Sequence, residues 1–247
     1  MSGHSKWATI KRAKAKTDAK KGQVFTKITK DIILAAKGGG DPNMNARLRA
    51  VIAKAKAVNM PNDKIDQAVK KGTGELAGGE LFEMNYEGYA AGGVAILIEV
   101  ATDNKNRTVA EVRHIMAKGG GNMGEPGSVA WMFDKRGVLT FDGTKYTEDQ
   151  VMEVALEAGA DDVVAEEGSV EVRVAPENYS EVEKAFEDAG MTPENSELTM
   201  LPKNLTPVDA ATAKKIMTLM ENLEENEDVS AVYVTADFTD EIMEELG

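Results

Sequence analysis

The chain has no cysteine. Disulfides, thiol nucleophiles and thiolate metal sites are therefore excluded. Its two histidines, His4 and His114, leave little material for metal chemistry. Long apolar runs are missing too. Val94 to Ile98, as long as any, is interrupted by Glu99 and falls far short of the roughly 20 residues needed to cross a bilayer. The opening Met1-Ser2-Gly3-His4-Ser5-Lys6 continues in lysines without an apolar stretch that would serve as a secretory segment, which reads as a cytoplasmic protein with no membrane partner. No Gly-Lys-Ser/Thr occurs, so there is no Walker A loop. Gly119-x-Gly121-x-x-Gly124 fits the spacing of a dinucleotide fingerprint, but the pattern puts a helix before it and a strand after it. That is the reverse of what a phosphate at a helix N-terminus needs, so the glycines read as a flexible or ligand-contacting loop. The acidic run Glu224-Glu225-Asn226-Glu227-Asp228 lacks the alternating ligands of a calcium loop and reads as solvated surface. His114, beside Arg113, reads as a surface histidine. No catalytic residue, metal or cofactor is expected.

What is present is a split of charge. The net charge of −13 over 247 residues would by itself argue against a polyanionic partner. Residues 1–77, however, hold 17 Lys and Arg against 6 Asp and Glu, a net of +11, and the remaining residues carry −24. Such asymmetry marks a bipolar molecule with a basic working end. From Ser5 to Gly22 the large apolar residues are Trp7 and Ile10, too few for a core, so this stretch reads as a mobile, partly helical arm. A phosphate backbone is the natural partner for it, because each neutralised phosphate releases condensed counterions. The candidate nucleic-acid contacts are Lys6, Lys11, Arg12, Lys14, Lys16, Lys20, Lys21, Lys27 and Lys30, with Trp7 placed either to stack on a base or ribose or to pack against the helices. A competing reading docks the arm on the acidic part of its own chain.

Periodicity gives the rest of the architecture. Val24, Ile28, Ile32 and Ala35 share one helical face, Leu48, Val51, Ile52, Ala55 and Val58 a second, and Ile65, Ala68 and Val69 a third that starts near Pro61 and ends at Gly72. Beyond the glycines at 72, 74, 78 and 79 the texture becomes α+β. Val94 to Val100 reads as a central strand, Arg107 to Lys118 as a helix, and Val129 to Phe133 as a strand. Residues 137–200 follow the ferredoxin-like order βαββαβ. A helix carrying Ile216, Leu219, Met220 and Leu223 and a strand from Val229 to Thr235 suit the sheet begun at Leu81. The expected domains are a basic helical domain at 1–77, an α+β domain at 78–133 plus 205–247, and a ferredoxin-like domain inserted at 134–204.

Several blocks resemble the YebC family, which includes the mitochondrial translational activator of cytochrome oxidase. They are Gly3-His4-Ser5-Lys6-Trp7-Ala8-Thr9-Ile10-Lys11, Gly22-Gln23-Val24-Phe25-Thr26-Lys27, Lys70-Lys71-Gly72-Thr73-Gly74-Glu75, Tyr86-Glu87-Gly88-Tyr89 and Thr102-Asp103-Asn104-Lys105-Asn106-Arg107-Thr108. Gly120-Gly121-Asn122 followed by Gly127-Ser128-Val129-Ala130 is similar too. Two departures are small: Ala90-Ala91 stand where the family has Gly-Pro, and Arg12-Ala13-Lys14 replaces His-Arg-Lys. The resemblance implies an N-terminal helical domain and two ferredoxin-like α+β domains, the third inserted in the second. It implies DNA-binding transcriptional regulators, with other members acting in translation at the ribosome, and no assigned catalytic residues.

Two functions follow as expectations. One is a DNA-binding transcriptional regulator, although no helix-turn-helix with base-reading polar residues is evident, so the lysines would position the protein without specifying sequence. The alternative is a ribosome-associated translation factor whose arm holds RNA. In either case Asp103, Asn104, Arg107 and Arg113 are candidate contacts to a protein or ribosomal partner made through the second and third domains. Asp103, Arg107 and Arg113, with His114 around the Gly119 to Gly124 loop, would also be the polar cluster of an enzyme, a reading set aside because the sequence shows no pocket and no positioned, perturbed groups.

Overall fold

The computed structural model describes residues 18–166 and 168–246. The fold is α+β, with an N-terminal helical bundle and two antiparallel four-stranded sheets. It divides into two compact units. One contains the bundle and the first sheet (18–130 with 206–246), and the other is the segment between them, 131–205.

In the first unit, helix α1 (Asp18–Ala36) begins four residues ahead of Gly22, inside the stretch assigned from sequence to the arm. Glycine costs a helix about 1 kcal/mol relative to alanine, which a 19-residue helix with a packed face absorbs. Helix α2 (Ala46–Ala57) is capped by Asn45, whose side chain accepts from Leu48 N–H at 3.0 Å. It ends with Asn59 in the left-handed region (φ 57°) and a bond from Met60 N–H to Ala55 C=O of 2.9 Å, closing the last turn. Helix α3 (Asn62–Thr73) follows Pro61 and stops at Gly74, φ 83°. Ile32, Ala35, Ala36, Leu48, Ala55, Met60, Ile65 and Ala68 form the bundle core. Val24 and Val58, read as core-facing, are instead 38% and 37% exposed; Val58 is the residue at which α2 ends. A Cβ on Gly72 would lie 2.4 Å from the Ile33 carbonyl, so glycine is what lets α3 approach α1 backbone to backbone.

Strands β1 (Phe82–Tyr89) and β2 (Ala95–Thr102) form a hairpin with Phe82 opposite Thr102 and Tyr89 opposite Ala95. Helix α4 (Lys105–Lys118) and the short β3 (Asn122–Met123) follow. The expected strand at Val129 to Phe133 is not formed. Val129 lies in a loop and Ala130–Met132 makes a single 3₁₀ turn, because the Val129 and Ala130 N–H groups donate to the Glu87 carboxylate and not to a ladder. The chain returns to this unit as β8 (Thr206–Pro207), α7 (Ala210–Glu224), β9 (Val229–Val234), β10 (Ala236–Asp237) and α8 (Asp240–Leu246). The sheet order is β3-β1-β2-β9, and β8 pairs separately with β10. In the central strand β2 every residue but Glu99 is buried, as its unbroken apolar run demands. Leu34 of the bundle packs with Leu81 and Ala101 of the sheet.

The second unit runs β4 (Phe133–Asp142), α5 (Glu148–Glu157), β5 (Asp162–Glu166), β6 (Ser169–Val174), α6 (Tyr179–Asp188) and β7 (Asn195–Pro202). Its sheet order β5-β6-β4-β7 is that of a ferredoxin-like βαββαβ unit. Thr147 and Gln150 form a reciprocal capping box at the start of α5. Leu139, Phe141, Val170, Val172 and Val174 meet Val151, Ala155, Tyr179, Val182 and Phe186 of the helices in one core.

Candidate nucleic-acid interface

Most of the arm candidates, Lys6, Trp7, Lys11, Arg12, Lys14 and Lys16, lie outside the described residues. Lys20 and Lys21 fall in the first turns of α1, and their side chains are likewise outside the description. Lys27 and Lys30, one turn apart on α1, are engaged within the chain. Lys27 Nζ donates to the Glu224 carbonyl oxygen at the end of α7, and Lys30 Nζ to the Glu227 carbonyl at 2.9 Å and to Asp228 Oδ1 at 2.6 Å. Both ammonium groups therefore hold α1 against the α7–β9 turn.

The bundle offers other cations that the sequence reading left out. Lys56 in the last turn of α2 and Lys70 and Lys71 in the last turn of α3 are exposed and make no ion pair among the described residues. Positive charge there also complements the negative end of each helix dipole. Arg47 is different. Its guanidinium forms a two-pronged pair with Glu83 of β1. Asp31 lies close to this pair and to Lys54, and burial pushes its carboxyl up to about 6 despite the attraction of those cations.

The Asp103–Arg113 stretch builds a different site. Thr102 ends β2, and the Asn104 side chain caps α4 by accepting from Arg107 N–H at 3.1 Å. Capping brings Arg107 back over Asp103, with Nη2 at 3.0 Å from Asp103 Oδ1 and 2.7 Å from Asp228 Oδ2. The hydroxyls of Thr102 and Thr108 lie 3.1 and 2.7 Å from the same Oδ2. Asp228 is thus 4% exposed, not the solvated surface its acidic neighbours suggest. Burial disfavours its charge, yet hydrogen bonds from Lys30, Arg107 and Thr108 outweigh that and hold the carboxyl far below its usual range. Arg113, further along α4, is exposed and does not join the cluster. Along the chain Asp228 is set apart from its acidic neighbours only by standing directly before the apolar strand at Val229.

A second buried carboxylate organises the glycine loop. Glu87, 7% exposed, accepts from the N–H groups of Gly127, Val129 and Ala130 at 2.6, 2.7 and 2.7 Å. Burial opposes its ionisation, but three backbone donors lower its pKa overall. A Cβ on Gly88 would sit 2.3 Å from the Asn122 carbonyl and one on Gly121 2.8 Å from the Tyr89 carbonyl, so these glycines let the loop pack against β1. The loop that matched a dinucleotide fingerprint by spacing is a built structural feature. Among the described residues no group of His, Asp or Glu is arranged to hold a metal ion, and no helix is long and apolar enough to cross a membrane.

Comparison with known proteins covers the whole chain. Residues 5–75 match the family described as the TACO1/YebC protein N-terminal domain, and residues 81–236 match the TACO1/YebC second and third domain. A probable transcriptional regulatory protein of Maridesulfovibrio salexigens is 66% identical over 246 residues, covering 100% of this chain and 99% of that one. One of the same description from Syntrophus aciditrophicus is 52% identical over 249 residues and covers both chains fully. The crystal structure of a conserved hypothetical protein from Aquifex aeolicus superposes with a TM-score of 0.81 at 40% identity, covering 90% of this chain and 93% of that one.

Proposed function

The chain belongs to the TACO1/YebC family, and from that premise we propose that it is a non-enzymatic regulator of gene expression that binds nucleic acid through its basic N-terminal domain. The observation that carries this reading is the charge split, +11 in residues 1–77 against −24 in the rest. DNA is the first-choice target, since relatives carry the description of probable transcriptional regulatory proteins. The contacts run from Lys6, Trp7, Lys11, Arg12, Lys14 and Lys16 through Lys20 and Lys21. Lys56, Lys70 and Lys71 join them, being exposed and unpaired among the described residues. Lys27 and Lys30 contribute only if their bonds to the α7–β9 turn open.

Lysines on a backbone neutralise phosphates and do not read bases. A second reading, attachment to ribosomal RNA as a translation factor, uses the same cations. It is favoured by the strongly acidic remainder of the chain, which a bare polyanion repels and a structured ribonucleoprotein accommodates. Anisotropy titrations of labelled duplex DNA and of ribosomal RNA across a salt series test the proposal. If about six phosphates are neutralised, log K against log salt has a slope of about −4 to −6. A slope near zero on both ligands refutes the electrostatic reading, and co-sedimentation with ribosomes that is lost at high salt selects the second one.

A further inference from the structure

Strand β1 leaves most of one edge of the first sheet open. Only Gly88 and Tyr89 pair outward, with β3, so from Phe82 to Glu87 no described strand lies beyond it. An open edge with apolar side chains is a ready site for a partner. Alternation and the register with β2 put Phe82, Met84 and Tyr86 on one face, opposite Thr102, Val100 and Ile98. Helix α4 packs on that face: Thr108 Oγ1 is 2.7 Å from Thr102 Oγ1, and a Cβ on Gly88 would lie 3.1 Å from Met116 Cε. The β2 residues of the row are buried, whereas Phe82, Met84 and Tyr86 stay half-buried at the edge. The Tyr86 hydroxyl donates to Met84 Sδ at 3.3 Å, which fixes its ring.

This edge is positively charged. Helix α4 carries Lys105, Arg107, Arg113 and Lys118 against Glu111, a net of +3 within the part of the chain whose net is −24. Arg107 is held by Asp103 and Asp228, and Glu111 accepts from Asn226 Nδ2 at 2.8 Å. Lys105 and Arg113 are exposed and make no ion pair among the described residues. Each stands near an aromatic ring of β1. Lys105 Nζ lies 3.9 Å from the centroid of Phe82. Burial raises the pKa of the Tyr86 phenol, the charge of Asp228 adds to the rise, and the charge of Arg113 acts against it, so Arg113 is within electrostatic reach of that ring. The two pairs are spaced alike on both elements. From Phe82 to Tyr86 the strand advances about 13 Å, and from Lys105 to Arg113 the helix advances about 12 Å.

We propose that these two rungs, Lys105 with Phe82 and Arg113 with Tyr86, bind an unpaired nucleic-acid strand, phosphates against the cations and bases against the rings. Bases in a duplex are stacked on one another, so rings at a protein edge reach only bases that are splayed out. An acidic peptide would satisfy the cations but has no use for a ring beside each. The surrounding negative charge repels a long polyanion, so this site holds a short stretch delivered by the basic N-terminal domain. The inference rests on the nucleic-acid reading above and adds a second contact to it.

The test titrates the full-length chain by anisotropy with labelled oligo(U), oligo(dT) and a DNA duplex of equal length. Arg113→Gln and Lys105→Gln are each expected to weaken binding of both unpaired strands by about fivefold and to leave the duplex within about twofold. Combined, they should flatten the single-strand salt slope by about 1.4, two phosphates at about 0.7 each. Tyr86→Leu keeps an apolar side chain and removes the ring; single-strand binding about tenfold weaker at an unchanged salt slope is expected, which loss of charge does not produce. If Tyr86→Leu lowers the melting temperature, the two cation variants, at exposed positions, decide the matter. Equal losses on single strand and duplex, or single-strand binding within about twofold of wild type in both cation variants, overturn the proposal. Polyglutamate binding that depends on Arg113 while single-strand binding does not overturns it in favour of a protein partner. The nucleic-acid reading fails separately, by a salt slope near zero on every nucleic acid.

Discussion

Replacing Asp228 with asparagine perturbs the carboxylate that joins α1, β2, α4 and the turn before β9. The variant keeps the shape but loses the charge, and its amide presents donors where Lys30 or the pair of threonine hydroxyls needs an acceptor. Breaking a buried ion pair by removing one partner costs about 3–5 kcal/mol. Two features lower that figure here. Arg107 is 45% exposed and falls back on Asp103, so its share approaches the roughly 0–1 kcal/mol of a surface pair. Lys30 keeps its bond to the Glu227 carbonyl. The expected loss is therefore about 2–4 kcal/mol at neutral pH, read as a lowered urea midpoint at constant slope. The pH dependence supplies a second check. The folded-state pKa of Asp228 is depressed below 3.8, so its contribution is present above that ordinary value and is lost as pH falls below it. The gap between wild type and variant should narrow by about 1.4 kcal/mol per pH unit below about 4. A loss under about 1 kcal/mol at pH 7, or a gap that does not change in acid, refutes the reasoning.

Glu87→Gln leaves one carbonyl oxygen to serve three backbone donors; a loss of about 2 kcal/mol is expected, with faster amide exchange at Gly127, Val129 and Ala130, and unchanged exchange there would count against the anchoring role. Asp31 gives the opposite sign. Its pKa is raised to about 6 from 3.8, so the fold resists its charge, and the cost is full above pH 6 and vanishes as pH falls towards 4. Asp31→Asn should therefore stabilise the chain at pH 7.5 by about 1–3 kcal/mol and have little effect at pH 4, as thermal melts at the two pH values would show.

Much of the architecture was legible because its causes are local. The start of α3 follows from Pro61, and the buried β2 from Val94 to Val100. The order βαββαβ followed from alternation in Val170, Val172 and Val174 and from helical spacing in Val151 and Ala155. The strand at Val129 was misread for a physical reason. Its residues suit a strand, but a carboxylate 42 positions earlier takes the Val129 N–H. Lys27 and Lys30 looked like their arm neighbours, and nothing nearby in sequence shows that their partners are some 197 and 198 residues away.

The sequence by itself determined the absence of thiol chemistry, the partition of charge into a basic end and an acidic remainder, the order of the longer helices and strands, and the family. These depend on composition, on periods of a few residues, and on ordered blocks of identity. The tertiary structure alone decided which charges remain available to a partner. It buried Asp228 beneath Lys30 and Arg107, made Glu87 the anchor of the glycine loop, and left Lys56, Lys70 and Lys71 exposed. A side chain's partner depends on what folding brings within a few ångströms, and segments far apart along the chain supply it.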